Sequence, residues 1–231
     1  MNVLVAAPHP DDDVIGCGGA LILHARAGHA ATVVYLTCGE AGGIGPEAGR
    51  LAAIREGEAR RAARQLGAAE LIFLGQPDGY LTAGRDTIAP FVGIVRRVRP
   101  YVLYVPHATD AHPDHRVAHA IAVEAARRAA GPWFPDAPGE PWSIPTILCY
   151  EIWTPLPAVS LVIDVTAVMP AKLAALRRHR SQLRDIAYDE AVAALNRFRG
   201  ITTGQGRYCE CFQVLAAGAE QLLGGGISPA S

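Results

Sequence analysis

Short apolar or β-branched runs alternate along the chain with longer Ala- and Arg-rich segments whose apolar residues recur at helical spacing. The first run, Val3–Ala7, predicts a strand, and a helix is expected from about Gly19 to Gly28. Thr32–Thr37, Leu71–Leu74 and Val102–Val105 read as the next three strands, with helices near Leu51–Leu66, Thr87–Arg99 and His115–Ala130. Four strand–helix units in a row imply a parallel sheet in an α/β protein.

The stretch 131–145 (GPWFPDAPGEPWSIP) is dense in Pro and Gly and must be loop. Further strands (Ile147–Ile152, Leu161–Val165) and helices (Pro170–Leu183, Asp189–Phe198) follow it, so the loop reads as an excursion within one domain spanning 1–217. The closing segment 218–231 is small, polar and Gly-rich and is expected to be disordered.

Composition narrows the partners. Half of the 231 residues are hydrophobic, and 21 basic against 22 acidic residues leave a net charge of −1 with no basic patch. Neither nucleic acid nor an anionic membrane is expected to bind, and a small molecule is the better partner. No signal-peptide core or membrane span is visible, so a cytoplasmic protein is expected. Five scattered cysteines without CxxC spacing suit a reducing compartment, with Cys209 and Cys211 alternating along a strand.

Two clusters carry the chemistry. His9-Pro10-Asp11-Asp12-Asp13 follows the first strand, and Asp110-Ala111-His112-Pro113-Asp114-His115 follows the fourth. In a doubly wound sheet of order 3-2-1-4, strands one and four flank the crevice where connections leave in opposite directions, so the clusters would face each other at the carboxyl ends. His9, Asp12 and His115 supply two imidazoles and a carboxylate, the ligand set of catalytic zinc, with a further position left for water. Asp11 is the candidate general base, and His112, its ring oriented by Asp114, the candidate donor to a developing oxyanion.

The competing reading makes Asp11–Asp13 ordinary turn and helix-capping residues. One cluster alone fits that reading; two clusters on either side of the crevice do not. Gly16-Cys17-Gly18-Gly19 lacks the GxGxxG spacing of a dinucleotide fingerprint and reads as letting backbone approach the metal loop. His119, four residues after His115, lacks the HExxH glutamate and reads as a supporting or surface residue. His24, His29 and His107 are read as structural, and Arg60, Arg61 and Arg64 as a solvated helix face.

Ala7-Pro8-His9-Pro10-Asp11-Asp12, with the later His112-Pro113-Asp114-His115, resembles the PIG-L/LmbE-like family of zinc N-acetylglucosaminyl deacetylases. Thr37–Glu40, Arg55 with Glu58, Pro77–Gly79, Ser181-Gln182, Arg199-Gly200, Tyr208, Glu210 and Phe212 extend the similarity along nearly the whole chain. The resemblance implies a Rossmann-like three-layer α/β/α fold with strand order 3-2-1-4-5. It implies Zn2+ on His9, Asp12 and His115, Asp11 as base, and His112 at the oxyanion; the ligand set itself also admits Fe2+ in the cell. Arg55 and Asp78 match positions that contact the sugar or its aglycone. Relatives often assemble as trimers or hexamers, so a homo-oligomer is expected. Asp13 stands where the family usually shows glutamate, and Ala111 where relatives acting on malate-linked glucosamine often carry a basic residue. The implied activity is metal-dependent removal of N-acetyl from an N-acetylglucosamine-type sugar. The rivals are a deacylase of another amide, such as an antibiotic-tailoring enzyme for longer acyl groups, and a non-catalytic sugar- or nucleotide-binding module.

Overall fold

The computed structural model describes residues 1–43 and 47–218. Within them the chain runs β1 (Asn2–Ala7), α1 (Asp12–Arg26), β2 (Ala30–Thr37), α2 (Ala48–Leu66), β3 (Glu70–Gln76), α3 (Arg85–Val98), β4 (Val102–Pro106), α4 (Pro113–Ala129) and β5 (Thr146–Tyr150). It continues as β6 (Leu161–Asp164), α5 (Met169–Leu176), α6 (Arg180–Leu183), α7 (Tyr188–Thr203) and β7 (Cys209–Ala216). One seven-stranded sheet results, in the order β3-β2-β1-β4-β5-β7-β6. The expected 3-2-1-4-5 order is its parallel part, and β7 adds an antiparallel strand between β5 and β6. From residue 219 on, the expected tail lies outside the described residues.

The central strands β1 and β4 are almost wholly buried, as strands covered by helices on both faces must be. One core cluster, including Val3, Val5 and Tyr104, packs under α1, α2, α5 and α7; the other, including Leu4, Phe91 and Leu103, packs under α3 and α4. β1 pairs with β2 on one side and β4 on the other, which sets the two motif-bearing strands side by side. No helix among the described residues is long and apolar enough to cross a membrane.

Three expectations are corrected. α1 starts at Asp12 rather than near Gly19, and its Cys17 is non-helical (φ −140°, ψ 19°), so a kink divides it. Its glycine-rich turn meets the sheet instead of the metal loop. A Cβ on Gly16 would sit 2.0 Å from the Tyr150 ring, and one on Gly19 would sit 2.5 Å from Val165. The helix expected over Pro170–Leu183 is two, α5 and α6, separated at 177–179. The Pro/Gly-rich loop is held to α3 by the buried Arg96, whose guanidinium donates to the carbonyls of Gly131, Trp133, Phe134 and Ala137.

Candidate active site

The end of β1 turns sharply at His9 and Pro10. Asp11 caps α1 with φ 148°, a conformation costly for a side chain larger than glycine and common where function fixes the backbone. Asp12, the first residue of α1, accepts the His9 backbone N–H through Oδ2 at 2.9 Å. That same oxygen lies 3.0 Å from His9 Nδ1 and 3.4 Å from His115 Nε2. Across the crevice His112 caps α4, and Pro113, Asp114 and His115 form its first turn.

Asp110, just after β4, organises this side. Its Oδ1 accepts from the His112 backbone N–H and pairs with His115 Nδ1, both at 2.9 Å, while Oδ2 accepts from the Trp153 and Thr154 amides. The His107 and His115 rings, with the His112 and Thr154 amides, outweigh the effect of burial and hold its carboxyl well below the ordinary range. With Nδ1–H committed to Asp110, His115 presents its Nε2 lone pair to Asp12. That buried atom has no hydrogen-bond partner among the described residues.

His9 is arranged alike. Its Nε2 lies 3.0 Å from Asp78 Oδ1 and 3.2 Å from Asp114 Oδ2, so a proton shared there leaves the Nδ1 lone pair facing Asp12. Two imidazole lone pairs and a carboxylate oxygen converging at this spacing repel unless something positive lies among them. Without an ion a proton serves. Burial opposes a charged His9, yet bonds to Asp114, Asp12 and Asp78 keep its pKa well above the usual 6.5. Asp12 is held low despite burial, chiefly by the neighbouring His115 and by the bond from His9. A carboxylate orienting an imidazole whose other nitrogen faces a ligand is the usual second layer of a metal site, and the donor set fits a divalent ion. Grouped by mutual separation, ligand atoms of His9, His112 and His115 lie within 4.8 Å of one another, as do those of His9, Asp78 and Asp114. Asp12 is the carboxylate that lies between the His9 and His115 rings.

Burial pushes Asp11 up to about 7, with Asp12 adding to the shift and Arg55 opposing it. A carboxyl with that pKa takes and returns a proton near neutrality. His112 Nδ1 accepts the Asp114 backbone N–H at 3.2 Å, so the neutral ring carries its proton on Nε2. Burial first, and then the neighbouring His9 and His115, lower its pKa and keep it neutral. Here the Asp114 expectation is corrected: its backbone, not its carboxylate, meets His112. The carboxylate accepts from Gly79 N–H at 2.7 Å and Leu81 N–H at 3.2 Å and contacts His9, because the 78–81 loop closes over it.

Arg55 and Asp78 both line a polar hollow of about 90 Å3 with His9, Asp11 and His112. Both are also heavily engaged. Arg55 donates to the carbonyls of Gly39 and Pro10 and reaches Asp11 Oδ1 at 3.3 Å. Asp78 Oδ2 accepts from Ala41 N–H, and its bonds to His9 and Ala41 bring its pKa down to about 2 against the pull of burial. Gly39, at φ +69°, could carry no side chain here, because a Cβ would sit 2.4 Å from the Arg55 guanidinium.

Several contributors had no assigned role in the sequence reading. Asp110 carried the right type beside His112, and its spacing to His115 was the missed signal. The buried Lys172 donates to Ile15 O, Asn196 Oδ1 and Glu210 Oε1 at 2.9, 2.9 and 2.6 Å, while Glu210 accepts from Gly19 and Ala20 N–H. This network supplies the partners that the α1 kink takes away, and so fixes the helix that begins with Asp12. Ile15, Trp153 and Tyr188 form an apolar wall to the hollow. His119 supports β4 through Pro106 O, while His24 and His29 form a separate pair beside Tyr104.

The family model described as PIG-L, GlcNAc-PI de-N-acetylase, matches residues 4–126, more than half the chain. The chain belongs to the PIG-L family. The matched segment carries both His/Asp clusters of this PIG-L protein. The chain is 32% identical over 184 residues, 67% of its length, to the 1D-myo-inositol 2-acetamido-2-deoxy-alpha-D-glucopyranoside deacetylase of Streptomyces avermitilis, and the match spans 63% of that relative's length. Among solved structures it is similar to the N,N'-diacetylchitobiose deacetylase of Pyrococcus horikoshii, with a TM-score of 0.85, 30% identity, and coverage of 93% of this chain and 83% of that one. The 4-carboxy-2-hydroxymuconate hydratase GalB of Pseudomonas putida shares the fold at a TM-score of 0.81 and 26% identity, over 93% of this chain and 96% of that one.

Proposed function

We propose that this protein is a metal-dependent amidohydrolase that removes the acetyl group from an N-acetylglucosamine-type sugar. The observation that carries the reading is the convergence on Asp12 Oδ2 of His9 Nδ1 and of His115 Nε2, the latter without a hydrogen-bond partner among the described residues, beside the buried carboxyl of Asp11. His9, Asp12 and His115 would hold the ion, Zn2+ by donor type, with Fe2+ compatible. When bound, such an ion polarises an amide carbonyl and acidifies water.

The chain's own groups do the rest. Asp11 removes the proton from the attacking water and returns it to the departing amine. Its carboxylate is held in reach by the strained backbone and by Arg55. His112, neutral with Nε2–H, donates to the oxyanion as the carbonyl becomes tetrahedral. Arg55 and Asp78, with Gln182, form the polar wall facing sugar hydroxyls. The chemistry named for the Streptomyces and Pyrococcus proteins supports this reading. We place the protein in the cytoplasm as one domain over 1–217, working on a small molecule, and propose a homo-oligomer.

The test is a panel of N-acetyl amino sugars, with acetate and primary amine both measured. Equimolar release of the two supports the reading. Release only from long-acyl substrates would favour the antibiotic-tailoring type of deacylase, and sugar binding without release a non-catalytic module.

A further inference from the structure

A second hollow, of about 330 Å3, adjoins the polar one and shares Ile15, Trp153 and Tyr188 with it. Its far wall is apolar, built largely from Ile186 and from Val192 and Leu195 of α7. Asn196 is its one amide, and no charged side chain lines it. That amide is already spent, its Nδ2 donating to Cys209 O and its Oδ1 accepting from Lys172. At the rim Trp153 and Ile186 are 51% and 45% exposed, so apolar surface continuous with the reaction site is left to water. A contiguous apolar recess of this kind is what the apolar part of a ligand covers.

We infer that the recess receives an apolar aglycone, an aryl or alkyl group of about six to eight carbons on the glycosidic oxygen, while the acetamido group reacts in the polar hollow. The inference rests on the proposed deacetylation. In that reading the acyl group is a two-carbon acetyl, which the smaller hollow accommodates, so the substituent left to fill the larger one is the aglycone. A polyol there would bury hydroxyls against Ile186, Val192 and Leu195 with no partner in return. The substrate class therefore differs from the inositol glycoside named for the Streptomyces relative.

The experiment compares kcat/KM for acetate release from the methyl, phenyl and octyl glycosides of N-acetylglucosamine, and from N-octanoylglucosamine for its acyl group. Wild type is set against Ala191→Trp, which fills the recess from an exposed position of α7. Phenyl and octyl glycosides should exceed the methyl glycoside by about 10–10²-fold, chiefly through KM. Ala191→Trp should erase that advantage and leave the methyl glycoside within about twofold of wild type, since small substrates make no use of the recess. Equal values for methyl and octyl glycosides would overturn the inference while leaving deacetylation intact. So would a chain-length advantage seen only for the octanoyl amide. Should no glycoside be deacetylated, the reading beneath it fails, and calorimetric binding of octyl glucosaminide still decides the recess: affinity no greater than for methyl glucosaminide, or untouched by Ala191→Trp, overturns it.

Discussion

His179 offers a quantitative test of how the site is supported. It caps α6, the short helix whose Ser181 donates to Glu58 and whose Gln182 donates to the Gly42 carbonyl at the polar hollow. Its ring is fully buried, and neither nitrogen has a partner among the described residues. Burial lowers its pKa from 6.5 to about 3, with the charges of Arg55 and Arg61 acting in the same direction. A histidine whose folded pKa is depressed takes up its proton in the unfolded chain first. The fold therefore keeps its full stability above pH 6.5 and loses it as pH falls toward the folded value. Between pH 7.5 and 4.5 this one ring should cost the folded state about 3 kcal/mol. Urea unfolding of metal-free wild type and His179→Leu across that range isolates the effect, because other titrations cancel in the difference. Whatever the offset at pH 7.5, the variant should gain about 3 kcal/mol on wild type by pH 4.5. Parallel curves would refute a buried neutral ring.

Asp11→Asn should keep its metal and lose roughly 10²–10⁴ in kcat, read from steady-state rates alongside metal analysis. Loss of metal instead would mean that Asp11 is a ligand. His112→Ala should lower kcat by about 10²–10³ with KM little changed, and unaltered turnover would remove it from the mechanism. Lys172→Met leaves the Glu210 carboxylate buried without its cation, so unfolding in urea should show a loss of about 3–5 kcal/mol. A loss under about 1 kcal/mol would show that the kinked α1 does not depend on this pair.

The parallel half of the sheet was legible because its strands are short apolar runs separated by clear helical periodicity, and strand adjacency placed His9 and His115 together. β7 was visible only as the alternation of Cys209 and Cys211, and nothing local told that it would insert between β5 and β6. The early start of α1 was hidden because Gly16, Gly18 and Gly19 read as a loop; their helical state depends on Lys172 and Glu210, more than 150 residues away. Side-chain direction was the other gap. The sequence placed Asp114 beside His112, but the 78–81 loop, which periodicity says nothing about, turns its carboxylate toward Gly79 and Leu81. The apolar wall of Ile15, Trp153 and Tyr188 comes from three distant segments and left no local signature.

His9, Asp12 and His115 are proposed to hold an ion without which the amide is not cleaved. Chelator-stripped protein should be titrated with Zn2+ while acetate release from an N-acetylglucosamine glycoside is followed, with His115→Ala in parallel. Activity in the wild type should rise linearly and break at about one equivalent, and the variant should stay inactive through the same range. Full activity in the stripped protein, or a His115→Ala titration that matches wild type, would mean that the amide is cleaved without an ion on these three residues.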